Sequence, residues 1–123
     1  MRIALLIQGS PVDSDACDHA LRFARAVVRK EHTLYRVFFY KDAVQIATDP
    51  SKLSEIGRIR RQAWLDFATE SRIELQVCVG AAERRGISSS IEDEPSSVDF
   101  AIVGLGQFVE STIECDRVVT FNG

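Results

Sequence analysis

Histidine and cysteine are scarce in this chain, and their scarcity removes several kinds of chemistry at the outset. His19 and His32 are the only histidines among 123 residues. Neither lies at a spacing that sets it beside a cysteine, so a Cys–His pair of the protease kind has little support. The three cysteines, Cys17, Cys78 and Cys115, are odd in number and far apart. That pattern fits free thiols in a reducing compartment better than a disulfide framework. None of them has zinc-type spacing, and Cys17 and His19, two apart on a predicted helix, point in different directions. No metal and no cofactor is expected. Long apolar runs are also missing, so no segment approaches membrane-spanning length. The opening Met1-Arg2 followed by IALLI imitates the start of a signal peptide, but the run stops at Gln8 and no small-residue cleavage site follows, so a cytoplasmic protein is expected. There is no excess of positive charge: 15 Lys and Arg against 18 Asp and Glu leave a net charge of −3. Direct nucleic-acid binding is therefore not expected, and any connection to RNA would run through partners. A G-x-S-x-G elbow, an H-E-x-x-H helix and a Walker loop are all absent.

What is present is the alternation of an α/β protein. The apolar share of 46% and charged share of 27% are ordinary for a folded chain, and 1–123 is long enough for one domain and too short for two. Ile3 to Ile7 is a continuous apolar run, the mark of a strand covered on both faces, ended by Gly9, Ser10 and Pro11. Asp13, Ser14 and Asp15 can each cap the next helix, predicted over about 14 to 30 with Arg22, Arg25, Arg29 and Lys30 on its solvated face. The loop QGSPVDSD reads as turn and cap in preference to a flavin or phosphate cradle, because it carries two acidic residues and a single internal glycine.

Leu34 to Tyr40 reads as the second strand. Phe38 and Phe39 face opposite sides of it, so either helices cover both faces or one face meets another subunit. Tyr40, Lys41 and Asp42 follow as a strand exit that could also border the functional mouth. Gln45 to Ser54 reads as loop, with a turn at Asp49-Pro50-Ser51. The helix from Ile56 to about Glu70 carries Arg58, Arg60 and Arg61, read as a solvated face. Residues 87 to 99, with clustered serine and acidic side chains, read as a polar surface loop. Phe100 to Val103 is a fourth strand, Gln107 to Ile113 a helix, and Asp116 to Phe121 a last strand, with Cys115 just before it in a structural role. Five strands interleaved with helices give a three-layer α/β/α domain with a five-stranded parallel sheet.

The informative stretch is Ile73 to Gly86, IELQVCVGAAERRG. Alternation makes Ile73 to Val77 a strand, Gly80 breaks it, and Ala81 to Arg85 starts a helix. Cys78 then stands where strand meets helix, at the edge of a parallel sheet where chemistry collects. The amide of Gly80, the helix start and the nearby Arg84 and Arg85 would favour a thiolate there. Two other readings stand beside this one: Cys78 as a small core residue, and the arginines as a polar helix end or an intersubunit salt bridge.

The run VCVGAAERRG, preceded by VFFYKDAV at Val37 to Val44 and followed by GLGQFVES and CDRVVTF, resembles the DsrE/TusD family of sulfur-relay proteins. The resemblance runs from Ile3 to the C-terminus. It implies strand order 4-3-2-1-5, with the flavodoxin-like 2-1-3-4-5 as the alternative. It also implies a sulfurtransferase in which Cys78 accepts a sulfane sulfur as a persulfide and passes it on. The partners implied are related small subunits (DsrF/TusC-like and DsrH/TusB-like) in a heterohexamer, an upstream sulfur-donor carrier and a downstream DsrC/TusE-like acceptor, in tRNA wobble-uridine 2-thiolation or cytoplasmic sulfur oxidation. The family usually has Gly where Ala43 stands, and a longer stretch where this chain has 87 to 99. Two alternatives remain: a non-catalytic assembly subunit with an idle thiol, and a flavodoxin-like small-ligand binder using the Gly9 to Ser14 loop. Relay chemistry requires the Cys78 sulfur to be reachable from solvent.

Overall fold

A computed structural model of the protein describes residues 1–87 and 100–123. The loop expected at 87–99, and the shortening inferred there, lie outside the described residues except for Ile87, which is buried. Five strands, β1 (Arg2–Ile7), β2 (Thr33–Phe39), β3 (Leu75–Cys78), β4 (Phe100–Val103) and β5 (Arg117–Phe121), form one sheet in the order β4-β3-β2-β1-β5. Every pairing is parallel. The flavodoxin-like order is thereby excluded, since β2 lies between β1 and β3 instead of outside β1.

Helices α1 (Ala16–Arg29), α2 (Glu55–Ser71) and α4 (Leu105–Glu114) flank the sheet, and a short α3 (Val79–Arg84) follows β3. The neighbours Phe38 and Phe39 show how the layers arise. Pleating sends consecutive side chains to opposite faces. Phe38 meets Phe108 of α4 at 5.5 Å between ring centroids, while Phe39 meets Trp64 of α2 edge-on, also at 5.5 Å. Helices therefore cover both faces of β2, as one of the two sequence readings required. On the α2 side Phe23 of α1 reaches Phe121 of β5, and the Trp64 indole N–H donates to the Cys17 carbonyl at 3.0 Å, tying α2 to α1.

Local chemistry explains most boundaries. In α1 the side chains of Cys17, Ala20, Leu21, Ala24 and Val27 are buried at helical spacing, and Arg22, Arg25, Arg29 and Lys30 are exposed, as the periodicity predicts. The α1 N-cap is Asp15, but it is Ser14 Oγ that accepts the Ala16 N–H, because the Asp15 carboxylate is turned toward α2. Ser54 caps α2 by accepting the Gly57 N–H at 3.3 Å, and Arg72 ends it in the left-handed conformation, φ 57°.

Two expectations are corrected. Residues read as strand exit and loop instead form a 3₁₀ helix at Lys41–Ala47, while the turn expected at Asp49-Pro50-Ser51 is present as a second, single-turn 3₁₀ helix at Pro50–Lys52. In the first, Ala43, Val44, Ile46 and Ala47 are buried, so burial of small apolar residues holds a turn too short to leave a periodic signal. The second is entered through Asp49, whose carboxylate accepts the Ser51 N–H at 3.0 Å. Second, Arg60 is not on a solvated face but is 9% exposed. Its guanidinium pairs with Asp18 at 2.9 Å and Asp15 at 3.0 Å, and donates to the Pro11 carbonyl at 2.9 Å. Arg58 does stay exposed, and Arg61 lies over the Phe100 ring at 5.4 Å.

Candidate functional site

In a parallel sheet all strand ends of one kind share an edge, and Cys78 is the last residue of β3 at the carboxyl edge. It is paired with Val103 on β4 and serves as the N-cap residue of α3, with extended φ −67° and ψ 121°. Leu75, Gln76 and Val77, the rest of the strand, are all buried, which fixes the position of Cys78 firmly.

The thiol is not open. Cys78 is 4% exposed and belongs to the hydrophobic core, against the expectation of a solvent-reachable sulfur. α3 starts at Val79, two residues earlier than predicted, so no loop separates strand from helix. Gly80 does not break the strand but lies in the first turn of α3. Ala81 and Ala82 are fully buried, and α3 packs on the first 3₁₀ helix, which also packs on β3.

The flanking arginines differ in what they touch. Arg84 ends α3 exposed, and its Nη1 lies 3.9 Å from where a side chain on Gly80 would begin, so it folds back along the helix toward the first turn. Arg85 donates Nε and Nη2 to Asp42 Oδ1 at 3.2 and 2.9 Å, and Nη1 to the Ala81 carbonyl at 3.0 Å. Its partner is therefore Asp42 at the start of the first 3₁₀ helix. The sequence reading favours a simple strand exit for Tyr40, Lys41 and Asp42 over a border of the mouth and does not find this pair, because a contact across 43 positions leaves no local pattern. Ala43, where a family glycine was expected, is fully buried inside the 3₁₀ helix.

The Gly9 to Ser14 loop turns its polar groups inward. Ser10 Oγ donates to Gln45 Oε1 at 3.2 Å and accepts the N–H groups of Val12 and Asp13. A Cβ on Gly9 would stand 2.5 Å from Ser14 Oγ and 2.7 Å from Gly123 Cα, so the space a cofactor phosphate would use is filled by the chain itself. The other thiols are far from this chemistry. Cys17 is buried in α1, and Cys115 caps the C-terminal end of α4 near Arg2, at the opposite edge of the sheet. Burial raises the Cys115 thiol above its ordinary value. Among the described residues no group of three or more His, Cys, Asp or Glu side chains is placed to hold a metal ion, and no helix is long and apolar enough to cross a membrane.

The fold and the site together define a small parallel α/β domain of order 4-3-2-1-5 with a cysteine closing its third strand. The particular family follows from comparison: the chain belongs to the DsrE/DsrF-like family, whose sequence pattern matches residues 1–121. It is 38% identical over 128 residues to the putative sulfurtransferase DsrE of Allochromatium vinosum, and 36% identical over 131 residues to the sulfurtransferase TusD of Yersinia pestis, covering 98% of each chain in both cases. The crystal structure of the ychN protein from E. coli superposes with a TM-score of 0.79 at 27% identity, covering 98% of this chain and 99% of that one.

Proposed function

We propose that this protein is a sulfur-relay sulfurtransferase subunit that carries sulfur as a persulfide on Cys78. The observation that carries the reading is the place of Cys78 at the carboxyl end of β3 in a chain similar along its length to proteins named sulfurtransferases. The chemistry asks little of the protein. The Cys78 sulfur attacks the outer sulfur of a donor persulfide, and the proton it sheds ends on the departing donor. A new S–S bond forms on Cys78, the donor's S–S bond breaks, and the donor leaves as a thiolate that takes up a proton. One bond replaces another, so no external oxidant or reductant is needed. The return step repeats this with the acceptor's thiolate attacking the outer sulfur on Cys78. No tetrahedral oxyanion forms and no water is activated, which suits a site without histidine.

The partners proposed are those the resemblance implies: related DsrF/TusC-like and DsrH/TusB-like subunits in a heterohexamer, an upstream sulfur carrier and a DsrC/TusE-like acceptor. Burial of Cys78 favours a second reading, an assembly subunit whose thiol is idle. Incubation with a persulfide donor followed by intact-mass measurement separates the two. The wild type is expected to gain the mass of one sulfur atom, which dithiothreitol removes and which Cys78→Ser does not acquire. A wild type that gains nothing, or a Cys78→Ser variant that loads equally, sinks the transfer reading.

A further inference from the structure

Toward the amino edge of the sheet, away from the end that carries Cys78, lies a cavity of about 240 Å³ whose wall includes Tyr35, Arg36, Arg72, Glu74 and Gln76. Gln76 stands within β3 and is 6% exposed. Register and pleat put its side chain on the α4 face of the sheet, because its partner on β2 is Phe38, which packs on Phe108. Its Nε2 donates to Glu74 Oε1 at 2.8 Å, but its own Oε1 is buried with no hydrogen-bond partner. An amide oxygen left so is a standing cost to the fold, which a ligand bringing a donor removes. The terminal torsion of a glutamine is broad, so the amide can turn toward the cavity it borders, and the exposed Glu74 carboxylate it leaves rehydrates.

The charges on the wall define the rest of the ligand. Arg36 Nη1 is held by the Gln107 carbonyl and Ser111 Oγ, and the guanidinium lies over the Tyr35 ring at 5.1 Å, while its Nε and Nη2 donate to nothing among the described residues. Arg72 is exposed, and its guanidinium makes no hydrogen bond or ion pair among the described residues. It holds the left-handed position that ends α2, φ 57°, where glycine fits without strain and arginine does not. Arg36 and Arg72 against Glu74 leave the wall positive. A positive wall beside an unpaired acceptor suits a compact molecule that carries a carboxylate and a donor close together.

We propose that this cavity binds a small carboxylate with a neighbouring hydrogen-bond donor, an α-hydroxy or α-amino acid. Arg72 and the free edge of Arg36 take the carboxylate, for which a guanidinium fork is the matching geometry, and Gln76 Oε1 accepts from the donor. The site stands independently of the reading of Cys78, which closes the other end of β3.

Backbone-amide NMR of the full-length protein, titrated separately with L-lactate, L-alanine and propionate, tests the assignment. All three carry the carboxylate; lactate adds a hydroxyl donor, alanine an ammonium, and propionate neither. Lactate or alanine should shift the amides of Arg72 to Gln76 saturably and bind about three- to tenfold tighter than propionate, the worth of one hydrogen bond to a buried acceptor. The tighter of the two identifies the donor. Arg72→Gly should weaken that ligand about tenfold or more, the loss of a charge-assisted pair. The same variant should keep or raise the urea midpoint of the free protein, since glycine relieves the left-handed strain, whereas a structural role for Arg72 would lower it. Gln76→Leu should bind the three compounds alike. Absence of a saturable shift up to about 50 mM overturns the site. Equal affinity of the wild type for all three, or an Arg72→Gly variant that binds as the wild type does, also overturns it. The ligand comparison on wild type decides the matter if Gln76→Leu does not fold.

Discussion

Cys17 lies in α1 with its sulfhydryl directed at the Gly9 carbonyl, 3.7 Å away. Burial pushes its pKa up to about 12, only partly offset by the nearby Arg60 guanidinium and reinforced by Asp18. The folded chain therefore keeps this proton where the unfolded chain, titrating near 9, releases it. The sign follows: the contribution to stability is fully present below about pH 9 and is lost as pH rises toward about 12, with a slope approaching about 1.4 kcal/mol per pH unit. Urea unfolding of wild type and Cys17→Ala at about pH 8 and about pH 10.5 should show the wild type losing more stability than the variant. Equal losses would mean that Cys17 ionises freely in the folded state. Nothing in the sequence around Cys17 distinguished it from Cys78 except position. Both are buried, and only the edge of the sheet separates a core thiol from a candidate nucleophile.

At the scale of an element, α2 shows a charged side chain working as a fastener. Arg60 shares a helix face with Trp64 and Phe67, four and seven positions on, and this is why it is drawn to α1 instead of into water. It binds Asp15, Asp18 and the Pro11 carbonyl together, fixing the loop after β1 against α2. Because both carboxylates retain solvent contact, they can rehydrate when the arginine is removed. Arg60→Ala should then cost about 1–3 kcal/mol in chemical denaturation, the value of hydrogen bonds to a charged group and less than that of stranding a buried charge. A loss below about 0.5 kcal/mol, typical of surface changes, would show the cluster to be incidental. The same helix marks what sequence could and could not show. Apolar spacing at Ile56, Ile59, Ala63, Trp64 and Phe67 located it, and polarity alone misplaced Arg60. The strands were legible because a sheet covered on both faces needs continuous apolar runs such as Ile3 to Ile7. The 3₁₀ helix at Lys41–Ala47 was not, since a stretch of two turns carries no period. Nor was the burial of Cys78, since packing among distant parts of the chain leaves no local pattern.

For the whole molecule, what is left exposed matters as much as what is buried. Leu105, Val109 and Ile113 are spaced four apart on α4, and each is exposed, Ile113 by 78%. They make an apolar stripe along α4 that the described residues leave open, and Val118 on the edge strand β5 is exposed as well. In the proposed assembly with related subunits such a stripe belongs at a contact. Val109→Glu with Ile113→Glu should reduce the assembly mass measured by light scattering on gel filtration, while leaving the unfolding midpoint of the single chain nearly unchanged. An assembly of undiminished mass would place the contact elsewhere. The sheet order was readable only through resemblance, because both parallel topologies use the same alternation of strands and helices.

That order has a consequence for how the protein emerges during synthesis. Among the described strands β1 comes first in the sequence, yet one of its two neighbours is β5, which follows all the others. Until Arg117–Phe121 has left the ribosome, the nascent chain carries an open backbone ladder along β1, the kind of bare margin that invites pairing with another chain. Some hundred residues must therefore be made after β1 before that strand is closed on both sides.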